Sequence, residues 1–109
     1  ASYEDAAKTY RKLTQLKPQY AMGWFNLAVS LERLSSWEDA SEAFHKAGTL
    51  NPKHAEAHLG LGVCHLRLED PKSALYSFER CLELRGLPMD IQVFAGTLDG
   101  IDIIAGQVA

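Results

Sequence analysis

The 109-residue chain lacks the short motifs on which many enzymes depend. It contains no Gly-rich phosphate-binding loop, no Gly-x-Ser-x-Gly motif and no Cys-x-x-Cys pair, so no nucleophile–base pair or open metal site can be named. It also lacks an apolar run of about 18 residues, the length that a transmembrane helix needs. These absences predict a non-catalytic protein that carries no cofactor or metal and does not insert into a membrane.

Basic charge is not in excess either. The formal net charge is −3, which argues against nucleic acid as the main partner. The surplus acid lies in residues 87–109, where Asp90, Asp99 and Asp102 meet no basic residue.

Cysteine is scarce, and both cysteines fall inside helical patterns. Cys64 and Cys81 could form a disulfide or act as reactive thiols, but small buried thiols in a reducing compartment are the favoured interpretation. We therefore expect a cytoplasmic protein.

An internal repeat is the strongest pattern that the sequence contains. Residues 21–54 match residues 55–88 at an offset of 34, with eight identities, and residues 3–18 supply part of a third copy. A period of this length indicates one supersecondary unit, each copy of which buries its apolar face on the next. The identities are Ala21/Ala55, Leu27/Leu61, Val29/Val63, Arg33/Arg67, Leu34/Leu68, Ala40/Ala74, Phe44/Phe78 and Leu50/Leu84.

Helix signals recur with the same period. Ser2, Ser36 and Asp70 each precede an apolar run with helical spacing and can accept a hydrogen bond from the first turn. Pro71 follows at the first helical position. The sequence predicts an all-α antiparallel stack without strands, whose helices span about 3–16, 21–34, 37–49, 55–68, 71–85 and 88–105.

The repeat resembles the tetratricopeptide repeat (TPR), a helix–turn–helix unit with small and aromatic residues at fixed positions. Residues 21–54 carry Trp24-x2-Leu27-Ala28-x2-Leu31, Ala40-x3-Phe44 and Pro52, and residues 55–88 carry His58-x2-Leu61-Gly62-x2-His65 and Ala74-x3-Phe78. The resemblance implies one domain over 1–109, stacked as a short right-handed superhelix. Its parts are the second helix of a partial repeat (2–20), two full repeats (21–54 and 55–88) and a capping or degenerate helix (89–109). The start partway into a repeat, without a methionine, predicts a fragment of a longer protein.

The same resemblance implies a concave groove, lined by the first helix of each repeat, that binds a protein or peptide partner. Several groove positions are apolar, which favours a hydrophobic partner, although contacts within a curled superhelix would also explain them. An asparagine at the position of Asn26 often bonds the backbone of an extended peptide in this family, whereas the next repeat has Gly60 there. The implied groove residues are Met22, Phe25, Asn26, Val29, Arg33, Glu56, Leu59, Gly60, Val63 and Arg67.

The charges in this groove leave its specificity open. The TPR class that binds chaperone tails uses a basic clamp, and Glu56 and Gly60 at the corresponding positions disfavour it. Arg33 and Arg67 could hold an acidic partner, or could be solvated or paired with Glu32 and Glu69.

Three histidines are spaced as metal ligands could be. His54, His58 and His65 fall at intervals of four and seven, a geometry known from metal sites. His58 and His65 take the aromatic positions of the repeat, however, so we expect them to be structural and to lie in the core.

An apolar stripe in the C-terminal segment suggests a rival function. Its residues recur at intervals of three and four, and a terminal repeat helix should instead present a polar outer face. The alternative is a self-association module that forms a homodimer through this segment. The residues predicted to carry it are Ile91, Phe94, Leu98 and Ile101.

Overall fold

The computed structural model describes residues 2–86, which form five α-helices and no strand. This confirms the all-α class, and each of the five predicted helices within that range is found with ends within one residue of the prediction. The predicted helix over 88–105 lies outside the described residues. The helices are α1 (Tyr3–Leu16), α2 (Ala21–Arg33), α3 (Trp37–Leu50), α4 (Ala55–Arg67) and α5 (Pro71–Arg85).

Two of the three predicted side-chain caps form. Ser2 accepts a hydrogen bond from the backbone N–H of Asp5 at 3.0 Å, and the Asp70 carboxylate accepts one from Ser73 at 3.2 Å. The prediction was wrong for Ser36, whose side chain makes no capping bond. The backbone ψ of Ser36 is 71°, against 159° for Ser2, and Asp70 caps from a similar ψ of 77° because its side chain is longer.

The turns inside the two repeats share one backbone shape. Ser35 and Glu69, which are 34 positions apart, both adopt a left-handed conformation with φ of 59° and 61°. Gly86 ends α5 in the same region, with φ of 68°, as expected for a glycine after a helix. The repeat in the sequence is therefore also a repeat in backbone geometry.

The helices pack as two hairpins, α2 with α3 and α4 with α5, while α1 packs on α2 and α3 packs on α4. Small side chains bring the helices close together: Ala28, Ala40 and Ala74 have no exposed surface. Gly62 lies against Phe78, since a Cβ atom there would be 2.7 Å from a ring carbon. A small residue is therefore required at Gly62, where α4 meets α5.

Both cysteines are buried and free, as the favoured interpretation predicts. Burial raises the pKa of the Cys64 thiol to about 12, and the nearby Glu32 charge adds to the shift. Such thiols are chemically inert in the folded chain. Within residues 2–86, no helix has the length and apolar character needed to cross a membrane.

Candidate partner-binding surface

The residues implied by the TPR resemblance lie on α2 and α4, which contact each other directly. These two helices run in the same direction because α3 turns the chain back between them. Their spacing of three and four places the side chains along one side of each helix. We call this surface the inner face; it comprises Met22, Phe25, Asn26, Val29, Arg33, Glu56, Leu59, Val63 and Arg67.

Phe25 is half-buried and joins the two repeats. Its ring meets Phe44 edge to face at 5.8 Å between centroids and lies 4.5 Å from the ring of His54, at the start of α4. Val29, one turn later, packs partly against the same core. These side chains therefore support the stack and present only their remaining surface to a partner.

The second repeat shows the same arrangement with smaller residues. Leu59 and Val63 are half-buried and pack against the cluster around Phe78 and Cys81. Each apolar inner-face residue except Met22 therefore has core contacts on one side, in line with the contacts within the superhelix that the sequence left open as an alternative.

Gly60 does not line the inner face. It is buried beneath the Phe44 ring, and a Cβ atom at this position would lie 2.4 Å from the ring. The asparagine of the first repeat has no counterpart in the second because Phe44 occupies the space that a side chain would need.

Asn26 is half-buried, and its side-chain amide makes no hydrogen bond within residues 2–86. Its backbone carbonyl is used inside the helix, where it accepts a bond from the Ser30 hydroxyl at 3.0 Å. An amide offers two donors and an acceptor, and leaving these groups unpaired in a half-buried place is unfavourable. Met22, one turn earlier, is 40% exposed beside it.

The end of the inner face near the start of α4 carries a small charge network. Glu56 accepts a hydrogen bond from Arg85 at 3.2 Å, and its other oxygen lies 3.4 Å from Nε2 of His54. The backbone N–H of Glu56, together with Arg85, holds the pKa of this carboxyl below its usual range. Glu56 is therefore already paired, which reduces its availability to a partner.

Positive charge collects at the opposite end. Arg67 lies over the Trp37 ring, with 5.4 Å between the guanidinium carbon and the ring centroid, and Arg33 is exposed at the end of α2. Within residues 2–86 neither arginine has a carboxylate within salt-bridge distance, so the salt bridges with Glu32 and Glu69 that the sequence suggested are not found, although the charge of Arg33 acts on the Glu32 carboxyl. Both guanidinium groups can therefore meet an acidic partner.

The sequence analysis missed two contributors, Trp37 and the Nδ1 atom of His54. Trp37 stacks with Arg67, which lies 30 positions later, so only the folded chain brings the two side chains together. The Nδ1 atom of His54 is buried beside Phe25 and has no partner within residues 2–86; the spacing of the histidines drew attention to His54, but as a metal ligand.

The three histidines separate in the fold. His54 packs on Phe25, whereas His58 and His65 line a groove on another side of α4. They are half-buried there and do not lie in the core as expected. No group of three or more His, Cys, Asp or Glu among the described residues is arranged to hold a metal ion.

The residues predicted to drive self-association lie outside the part of the chain that the structure describes. Ile91, Phe94, Leu98 and Ile101 therefore keep the status of a sequence prediction.

Comparisons with known proteins agree with this architecture. The family model described as tetratricopeptide repeat matches residues 1–47 and 33–86, whereas no curated protein sequence matches the chain. Among solved structures, MamA MSR-1 C2 aligns with a TM-score of 0.73 and 24% identity, covering 77% of this chain and 48% of that chain. This chain therefore spans about half the length of that relative.

Two further structures are similar over nearly the whole chain. The first TPR of Spaghetti (RPAP3), bound to the HSP90 peptide SRMEEVD, has a TM-score of 0.81 and 23% identity, covering 97% of this chain and 79% of that chain. The TPR2B domain of yeast Sti1, in a pHsp70 complex, has a TM-score of 0.75 and 22% identity, covering 98% and 85%. At these identities the similarity shows a shared fold.

Proposed function

The chain belongs to the tetratricopeptide repeat family, and we propose that it is a non-catalytic protein–protein interaction module that binds a partner peptide or helix on its inner face. Asn26 carries the proposal: a half-buried amide without a partner in the described residues follows Phe25 and precedes Val29 by about one turn on the same side of α2. This combination suits a peptide whose backbone bonds the amide while its apolar side chains cover the neighbouring surface.

The charges suggest the character and direction of the partner. Arg33 and Arg67 supply positive charge where α2 and α4 end and have no salt bridge within residues 2–86, whereas Glu56 at the other end is paired with Arg85. We therefore favour an apolar segment with acidic residues at one end. The similar RPAP3 domain is bound to an HSP90 peptide, and the similar Sti1 domain is in a complex with pHsp70. These structures support peptide binding as the class of function.

Panning a random 12-residue peptide library on the immobilised chain, followed by calorimetry of the selected peptides, tests the proposal. Asn26→Ala should weaken binding by about five- to thirtyfold, the effect of losing one or two net hydrogen bonds. Gln15→Ala is the matched control, because it removes an exposed amide from α1 and should leave the affinity unchanged.

Two results would contradict inner-face binding: a panning experiment that yields no saturable binder, and peptides that bind the Asn26→Ala and wild-type chains equally well. Arg33→Ala and Arg67→Ala should in addition reduce the salt dependence of peptides that carry acidic residues.

Self-association is a separate proposal that rests on sequence alone. If residues 89–109 form the interface, the mass measured by sedimentation should fall from dimer to monomer on dilution, and Phe94→Glu should give a monomer at every concentration. A wild-type chain that stays monomeric at high concentration would remove this alternative.

A further inference from the structure

A second cavity lies on another side of α4 from the inner face, between α3 and α5. Its volume is about 520 Å³, within the range of about 300–1,000 Å³ that is usual for small-molecule sites. We call it the outer groove; its lining includes His45 and Gly48 from α3, His58, Leu61 and His65 from α4, and Lys72, Tyr76 and Ser77 from α5.

The equivalent residues one repeat earlier provide an internal reference for this groove. Trp24 donates a hydrogen bond from Nε1 to the carbonyl of Pro18 at 2.9 Å. His58, 34 positions later, places Nε2 3.1 Å from the carbonyl of Pro52. The imidazole thus keeps the polar contact of the indole while filling less space.

Two more residue differences between the repeats make the outer groove larger and more polar. Gly48 stands 34 positions after the buried Thr14, and His65 stands 34 positions after the buried Leu31. A Cβ atom on Gly48 would lie 3.3 Å from Cε1 of His58, so a larger side chain at position 48 would take up part of the groove. The cavity exists because smaller or more polar residues occupy these places than one repeat earlier.

The residues of α5 that border the outer groove also differ in charge from their equivalents in the first repeat. Glu38, Asp39 and Glu42 of the first repeat correspond to Lys72, Ser73 and Tyr76 of the second. Among residues 2–86, no carboxylate lines the outer groove. Asp70 lies nearby: its carboxylate accepts a hydrogen bond from the backbone N–H of Ser73 at the start of α5, and the charges of His65 and Lys72 add to the lowering of its pKa that this bond causes.

Ser77 gives the groove a polar group. The residue is only 3% exposed and lines the groove, and no hydrogen bond of its hydroxyl is found within residues 2–86. The first repeat has Ala43 at this position. A hydroxyl that lines a groove can donate a hydrogen bond to a molecule bound there.

We propose that the outer groove binds a small organic anion with an apolar ring. The ring would lie against Leu61 and Tyr76, and the anionic group would accept hydrogen bonds from Ser77 and the imidazoles of His45 and His65, close to the Lys72 ammonium. This site is independent of the inner face, because α4 presents it with different side chains.

Titration with 2-naphthoate and with its neutral amide, 2-naphthamide, tests the proposal, with the histidine Cε1–H resonances followed by NMR. The two probes share one shape and differ in charge. We expect saturable shifts of His45, His58 and His65 with naphthoate, and binding of the amide that is weaker by about tenfold or more. Equal binding of both probes, or no saturation up to about 10 mM naphthoate, would overturn the proposal.

Variants that copy the residues found one repeat earlier locate the site. The double substitution Gly48→Thr with His65→Leu introduces those residues and should abolish the naphthoate shifts. Lys72→Glu, an exposed change that is compatible with folding, should weaken binding by about tenfold, whereas Asn26→Ala on the inner face should have no effect. Unchanged affinity in Lys72→Glu, or in a folded double variant, would refute the assignment.

Discussion

Adding one carbon atom to Gly60 tests the contact that joins the two repeats. The Cβ atom of Gly60→Ala would lie 2.4, 2.5 and 2.8 Å from three atoms of the Phe44 ring, closer than real Cβ atoms approach other atoms. Overpacking of this kind costs about 1–3 kcal/mol. Alanine also favours the helix by about 1 kcal/mol over glycine, so the net loss in unfolding free energy should be about 0–2 kcal/mol.

Gly48→Ala is the matched control. Its Cβ would meet only the edge of the His58 ring, at 3.3 Å, and this half-buried side chain can shift toward the open groove. The helix-propensity gain should therefore dominate, and the two variants should differ by about 1–3 kcal/mol in urea unfolding followed by circular dichroism. For a domain of this size, each kcal/mol corresponds to about 4–8 °C in melting temperature.

A double substitution isolates the cause. Phe44→Leu removes the ring atoms that the new methyl group meets, so Gly60→Ala should be less damaging in the Phe44→Leu background than in the wild type. Equal effects of Gly60→Ala and Gly48→Ala, or a Gly60→Ala penalty that persists without the ring, would refute the assignment of Gly60 to the joint between repeats.

Three other predictions follow from single groups. Asp70→Ala should lower the melting temperature at pH 7 by more than Ser36→Ala, because of these two side chains only that of Asp70 caps a helix. The bond from Ser73 lowers the pKa of Asp70, so this difference should persist well below pH 7 and disappear as the pH falls through the lowered pKa. Half-burial raises the pKa of Glu32, so the ionised form opposes folding as the pH rises above 4.5. In thermal melts, Glu32→Gln should therefore be more stable than wild type at pH 7 and equally stable near pH 3. A variant less stable than wild type at pH 7 would contradict this. Cys64, with a pKa of about 12, should react with iodoacetamide at pH 8 about a thousandfold more slowly in the folded chain than in urea; comparable rates in both states would show that the thiol is accessible.

The sequence predicted the helices well because their signals are local. Pro71, Gly86 and the apolar spacing each act within one or two turns, so the helix ends could be placed without knowledge of the fold. Ser36 shows the limit of such reasoning: its residue type suits a cap, but the turn that contains Ser35 sets a ψ at which the short side chain does not reach.

The candidate binding surface was less predictable, because it depends on contacts between repeats. Gly60 was assigned to the groove by its position in the repeat, yet Phe44, 16 residues earlier, covers it. The stacking of Arg67 on Trp37 has the same character. The outer groove arises from differences between equivalent residues of two repeats, a signal that is present in the sequence but acquires meaning only when the helices are placed.

Methyl NMR tests most directly whether the side of α2 and α4 that carries Asn26 binds the partner. With a panned peptide added to the labelled chain, the methyl resonances of Val29, Leu59 and Val63 should shift and saturate together, while those of Leu61 in the outer groove should stay unchanged. Shifts confined to Leu61, or spread equally over all helices, would contradict binding on the inner face.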